Sequence, residues 1–159
     1  ITARYLHLSR KRVPELVESS PTELVSRVLK LEAPVLEQAG VTATLEGKET
    51  PVCKLDADAI ERTLRNLVRN AVEAGAAELQ FKVEATNAKV HITLTDDGPG
   101  MNDTEAEKAF DPFFTTKARG TGLGLAISRQ EIEEIGGSLE YESPPDSGAK
   151  FTIEIPINS

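Results

Sequence analysis

Two asparagines four residues apart, Asn66 and Asn70, sit in an otherwise helix-forming stretch, Asn66-Leu-Val-Arg-Asn70-Ala-Val-Glu73-Ala. Asparagine is a poor helix former, so a repeated pair within a helix needs a reason. Neutral amide oxygens suit Mg²⁺, which takes few protein oxygens and completes its shell with water and phosphate. Further on, Asp96-Asp97-Gly98-Pro99-Gly100 directly follows a strand-like run. An ionised Asp only accepts hydrogen bonds, so Asp96 could read an amine. Gly98 and Gly100 would let backbone lie flat against a ring, where a Cβ would clash. Gly120-Thr121-Gly122-Leu123-Gly124 opens an apolar-periodic helix. A flexible loop presenting amides at a positive helix N-terminus binds phosphate. Between these glycine motifs lies Phe110-Asp-Pro-Phe-Phe-Thr115-Thr116-Lys117, and Lys117 could meet phosphates as a point charge.

Each motif alone has a plainer explanation. Asn66, Asn70 and Glu73 fall roughly opposite Ile60, Leu64, Leu67, Val68, Ala71 and Val72, so they could form an ordinary solvated face. Asp and Gly after a strand make a common turn. The Gly120–Gly124 run could be a simple helix start. It is not a dinucleotide fingerprint, which needs glycine where Leu125 stands, and it is not a P-loop. The Phe110 cluster reads as a small satellite core under a loop, which would also anchor that loop. Lys117 could simply be solvated.

The elements that must position these residues follow from local signals. Ile1, Tyr5 and Leu8 are spaced for one helix face, and Pro14 should stop that helix. Residues 15–19 could be a short strand. Ser20-Pro21-Thr22-Glu23 predicts a capped helix running to Ala39, kinked at Pro34 and closed by Gly40. Strands are expected at 41–45 and 51–55. Asp58-Ala-Ile-Glu61 reads as a capping box opening a helix to about Gly75. Residues 79–85 and 89–95 form a predicted hairpin, 104–109 a short helix, and 121–135 a stronger one closed by Gly136-Gly137. Two last strands are expected at 138–142 and 149–157. The pattern predicts an α/β two-layer sandwich, a mixed sheet with helices on one face.

Composition narrows the function. The chain has 159 residues, enough for one ordinary domain and a short piece of another. It has no run of about 18 apolar residues and no basic-then-apolar leader, and it begins at Ile1, as an excised piece of a longer protein would. A net charge of −8 argues against general affinity for nucleic acid. It also requires any triphosphate site to be locally positive or metal-assisted. Cys53 is alone, which fits a reducing cytosol, and with His7 and His91 it makes no zinc-like cluster.

The order and spacing of the four motifs resemble the ATP-binding catalytic domain of bacterial sensor histidine kinases, on the GHKL or Bergerat fold. The resemblance covers residues 13–157. It implies a catalytic and ATP-binding domain at 13–159, preceded at 1–12 by the end of a dimerisation and phosphoacceptor helix. It implies ATP and Mg²⁺ as ligands, Asn70 as metal ligand, and Asp96 as the carboxylate that selects adenine over guanine. Asn66 and Glu73 would add polar contacts, Phe110 to Gly124 would form the ATP lid, and Asn70 and Lys117 would carry catalysis. The implied reaction moves the γ-phosphoryl to a histidine on a separate helical domain, then to a response-regulator Asp. Implied partners are the chain's own dimerisation domain and a receiver domain, with a homodimeric parent; this stretch is expected in the cytoplasm with no membrane contact, and a membrane anchor elsewhere in the parent stays open.

Some residues depart from the family pattern. Gly148-Ala149-Lys-Phe151 stands where Gly-Thr-x-Phe is common, and Glu73 where many members carry a basic residue. His7 is followed by Leu-Ser-Arg and lacks the phosphoacceptor pattern, so it reads as a helix residue. Two other readings remain. GHKL ATPases carry a Glu four residues before the metal Asn, where this chain has Asn66, a poor general base. A silent docking module would have no need for the nucleotide-facing motifs.

Overall fold

The computed structural model describes residues 13–47, 50–86, 88–111, 124–143 and 148–157. In chain order the elements are β1 (Val17–Ser19), α1 (Pro21–Leu31), α2 (Ala33–Ala39), β2 (Thr42–Glu46), β3 (Cys53–Leu55), α3 (Ala57–Glu73), β4 (Glu78–Ala85), β5 (Lys89–Asp96), α4 (Asp103–Lys108), α5 (Gly124–Glu134), β6 (Ser138–Glu142) and β7 (Lys150–Pro156). Five strands make one sheet in the order β2-β4-β5-β7-β6, and β1 pairs separately with β3. β2 runs parallel to β4, and the other neighbours are antiparallel, so the sheet is mixed. The parallel pair is joined through β3 and α3, since such a pair needs a crossover.

Strict alternation decides which face is covered. Phe81, Leu94 and Phe151 lie side by side in register, as do Val83, Ile92 and Ile153, and all are buried. Leu24, Val25 and Val28 of α1, Ile60, Leu64, Leu67 and Val68 of α3, and Ile132 of α5 belong to the same apolar cluster. Each such fully buried side chain contributes about 1.5–3 kcal/mol. The opposite face carries Lys82, Glu84, Lys89, His91 and Glu154. Lys89 lies 2.6 Å from Glu154 and holds that carboxyl below its ordinary value. The result is the expected two-layer sandwich with helices on one face.

Local structure departs from expectation at two helix starts. The helix expected over 20–39 is two helices, broken at Glu32, which closes α1 and opens α2. Pro34 in the first turn of α2 has no N–H to continue the ladder from α1. Ser20 does cap α1, accepting from the Glu23 backbone N–H, and Gly40 ends α2 at φ 71°. At α3 the cap is Asp56, not Asp58. Its Oδ1 accepts from Ala59 N at 3.1 Å and its Oδ2 from Glu15 N at 3.2 Å. Asp58 instead lies in the first turn, where a carboxylate favours the helix dipole.

Candidate functional site

The end of β5 builds one half of the site from backbone. The β5–β7 ladder continues past the last strand residues, with Asp96 N donating to Ala149 O and Gly148 N donating to Asp96 O. This pulls Asp96 inward until its residue is 7% exposed. Its Oδ1 accepts from Gly98 N at 2.9 Å and Ala149 N at 3.2 Å. Among the described residues Oδ2 accepts no hydrogen bond, leaving it as an acceptor for something else. A Cβ on Gly148 would stand 2.5 Å from Gly98 O and closer still to Asp96 Oδ1. Gly100 takes φ +68°, and a Cβ there would meet Ser143 Oγ at 2.6 Å. A cavity of about 550 Å³ opens here, lined by Asp96, Gly98 and Gly148 together with Thr42, Thr44 and Thr95, but by neither α3 amide.

Asp97, the next residue, does a different job. Its Oδ1 accepts from Ala77 N at 2.7 Å and Glu78 N at 2.9 Å. These backbone donors, Glu78 first and then Ala77, lower its pKa from 3.8. Asp97 therefore pins the start of β4 to the end of β5. Met101 N donates to the Tyr141 hydroxyl at 2.8 Å, and Tyr141 in turn packs on Phe151, so the loop after Gly100 is tied to β6 and β7.

The second half is a seam between α3 and α5. Asn66 is half-buried against α5 and does not stand on a solvated face. Its Nδ2 donates to Ser128 Oγ at 3.2 Å, and a Cβ on Gly124 would meet its Oδ1 at 2.7 Å. The helices touch this closely because Gly124 has no side chain. Arg62 tightens the same seam by donating from Nε and Nη2 to Glu131 Oε2 at 3.1 and 2.9 Å. Asn70 is half-buried one turn further along α3, and Glu73 is exposed at its end.

Phe110 follows α4 and packs against the core, with the Arg129 guanidinium 4.1 Å above its ring. Arg129 Nη2 also donates to Glu140 at 3.1 Å. This fits an anchor for the segment that follows. The expectations for Phe113, Phe114, Thr115, Thr116, Lys117, Gly120, Thr121, Gly122 and Leu123 fall outside the described residues, as does that for 1–12.

Several residues that shape the site carry little signal in the sequence. Ser128 and the backbone N–H of Ala149 reach it only through tertiary pairing. Glu32 is wholly buried between Arg65 and Arg69, and the one available hint is that those arginines are four apart. Among the described residues no group of three or more His, Cys, Asp or Glu could hold a metal. A hard cation arriving on phosphates and taking one amide oxygen fits that donor set.

The family described as histidine kinase-, DNA gyrase B-, and HSP90-like ATPase matches residues 55–159. The chain is 35% identical over 93% of its length to the C4-dicarboxylate transport sensor protein DctS of Rhodobacter capsulatus. It is 34% identical over 99% of its length to the signal transduction histidine-protein kinase AtoS of Escherichia coli K12. It covers only 24% and 27% of those relatives. The solved catalytic domain of histidine kinase ThkA superposes with a TM-score of 0.81 at 34% identity, covering 89% of this chain and 95% of that one. ThkA crystallised with the response regulator protein TrrA aligns at a TM-score of 0.83 and 30% identity, covering 99% of this chain and 46% of ThkA's. The chain therefore belongs to the histidine kinase-, DNA gyrase B-, and HSP90-like ATPase family, among the ATP-binding catalytic domains of sensor histidine kinases.

Proposed function

We propose that this chain binds ATP with Mg²⁺ and delivers the γ-phosphoryl to a histidine on a separate helical domain, for relay to a response-regulator aspartate. The observation that carries the reading is Asp96: a buried carboxylate whose Oδ1 is held by two backbone donors while its Oδ2 takes no hydrogen bond among the described residues. An acceptor-only group there favours the exocyclic amine of adenine over the carbonyl of guanine. Gly98, Gly100 and Gly148 give the ring backbone to lie on. Asn70 would hold the metal, and Asn66 would add a polar contact on the same face of α3. Thr115, Thr116, Lys117 and the Gly120–Gly124 amides would meet the phosphates, Glu73 would add a polar contact where many members carry a basic residue, and Phe110 would anchor the lid. Bound Mg²⁺ supplies charge neutralisation on the phosphates, which together with positioning is most of phosphoryl-transfer catalysis.

The co-crystallised ThkA and TrrA support a receiver domain as partner. Residues 1–12 would join the domain at 13–159 to its dimerisation and phosphoacceptor helices, in a homodimeric parent. The domain works in the cytoplasm, where ATP is available. Among the described residues no helix is long and apolar enough to cross a membrane.

Hydrolysis is the rival chemistry, and Asn66 weighs against it. The turn before Asn70 carries an amide engaged with Ser128, where a water-activating base would need a carboxylate. Calorimetric titration with Mg·ATP and Mg·GTP tests the reading. ATP should bind at least about tenfold more tightly, because a guanine carbonyl would leave Asp96 unpaired. Equal affinities would remove Asp96 as the base reader.

A further inference from the structure

We infer that Glu32 is a positioning residue whose buried carboxylate sets where α3 presents Asn66 and Asn70; this rests on the Mg·ATP reading above. Glu32 stands at the junction of α1 and α2 with its side chain 0% exposed. Arg65 Nε lies 2.6 Å from Oε1, and Arg69 Nε lies 3.3 Å from Oε2. Oε1 takes the Arg65 hydrogen bond, while buried Oε2 takes none among the described residues and meets Arg69 only as an ion pair, so the hold on the second turn of α3 is the looser one. Each arginine immediately precedes one amide of the pair, so clamp and amides share the same two turns, about 100° apart around the axis.

The Arg62–Glu131 and Asn66–Ser128 hydrogen bonds orient α3 from the α5 flank only, leaving the flank that faces α1 and α2 to other contacts. Ile60, Leu64, Leu67 and Val68 fix its depth against the sheet, but apolar contact is non-directional. Arg27 and Glu61 are 3.9 Å apart with the arginine exposed, too loose to set rotation. On the opposite flank Asn66 has no clearance from Gly124. A rotation of α3 therefore drives Asn66 into α5 or withdraws Asn70 from the phosphates, and the Glu32 bridge resists both. Buried ion pairs add little net stability over apolar packing, so geometry is the more physical reason for one here.

The test compares ligands that do and do not reach α3. Glu32→Gln keeps the shape and removes the charge. Calorimetry should show Mg·ATP weakened about tenfold and adenosine, which touches only the Asp96 corner, by less than about twofold. Arg69→Gln, which keeps the Glu32–Arg65 pair and hence the fold, should show the same pattern at smaller size. In an Asn70→Ala background, Glu32→Gln should weaken Mg·ATP clearly less than it does in the unmodified chain, the remainder acting through Asn66. Equal losses for both ligands, additive losses in the double variant, or no loss in a folded protein would each overturn the inference. Failure of the underlying reading looks different: the unmodified chain would then bind Mg·ATP no better than adenosine, before any substitution is made.

Discussion

Asp96 and Asn66 stand in two candidate regions, the end of β5 and the α3–α5 seam, and their surroundings are made of different material. Around Asp96 the neighbours are backbone: Gly98 N, Ala149 N, and the carbonyls of Gly98 and Asp96 itself packed on Gly148. Around Asn66 they are side chains and a helix start: Ser128, Gly124, and an Arg62–Glu131 bridge at 2.9 Å. Backbone in a sheet cannot step aside, whereas a side chain can change rotamer. The Asp96 corner should therefore tolerate almost no change, and the α3–α5 seam should yield and be repairable. That division suits the proposed roles, a rigid reader for a flat ring and an adjustable wall for phosphates and metal.

The largest expected effect comes from Gly148→Ala. The new Cβ would press on Gly98 O, Asp96 O and Asp96 Oδ1, two of them backbone. We expect about 1–3 kcal/mol of destabilisation in urea melts, together with loss of adenosine affinity. A silent substitution would show that the corner is soft. Next is Asp96→Asn. The amide oxygen can still accept from Gly98 N and Ala149 N, so the fold should survive. Its –NH₂ would face an amine on the ligand, and ATP affinity should fall about 10- to 100-fold. Retained affinity by titration would move the base-reading role elsewhere.

The seam should respond more gently. Gly124→Ala brings a Cβ to 2.7 Å from Asn66 Oδ1, the far end of a flexible side chain. A cost near 1 kcal/mol is expected, and adding Asn66→Ala should recover most of it in thermal melts. If the double variant is no better than the single, the clash lies in backbone and the contrast fails. The smallest effect concerns Asp97, whose folded pKa is lowered by the Glu78 and Ala77 N–H groups. Its stabilising contribution is complete above the ordinary value of 3.8 and is lost as pH falls through the lowered folded value. Acid unfolding should be less steep in Asp97→Asn than in the unmodified chain; identical slopes would remove Asp97 from the account.

The sequence made the large pattern readable because local periodicity carries it. β4 and β5 alternate strictly, α3 repeats its apolar residues every three or four, and all three end within a few residues of the expected positions. What depended on distant partners was hidden. Glu32 is buried because Arg65, 33 residues on, reaches it. Asp56 outcompetes Asp58 as cap because its second oxygen also takes Glu15 N, 41 residues away. Gly148 flanks Asp96 only because β7 pairs with β5. The motif residues of the candidate site were visible as types and spacings, while their supports came from pairing that no local window contains.

The central claim is that this chain holds Mg·ATP without hydrolysing it, awaiting a histidine on another domain. ³¹P NMR of Mg·ATP with the protein over several hours tests it most directly. The account predicts shifted or broadened phosphate resonances and no growth of inorganic phosphate. Steady growth of inorganic phosphate, or phosphate peaks unperturbed at millimolar protein, would contradict it.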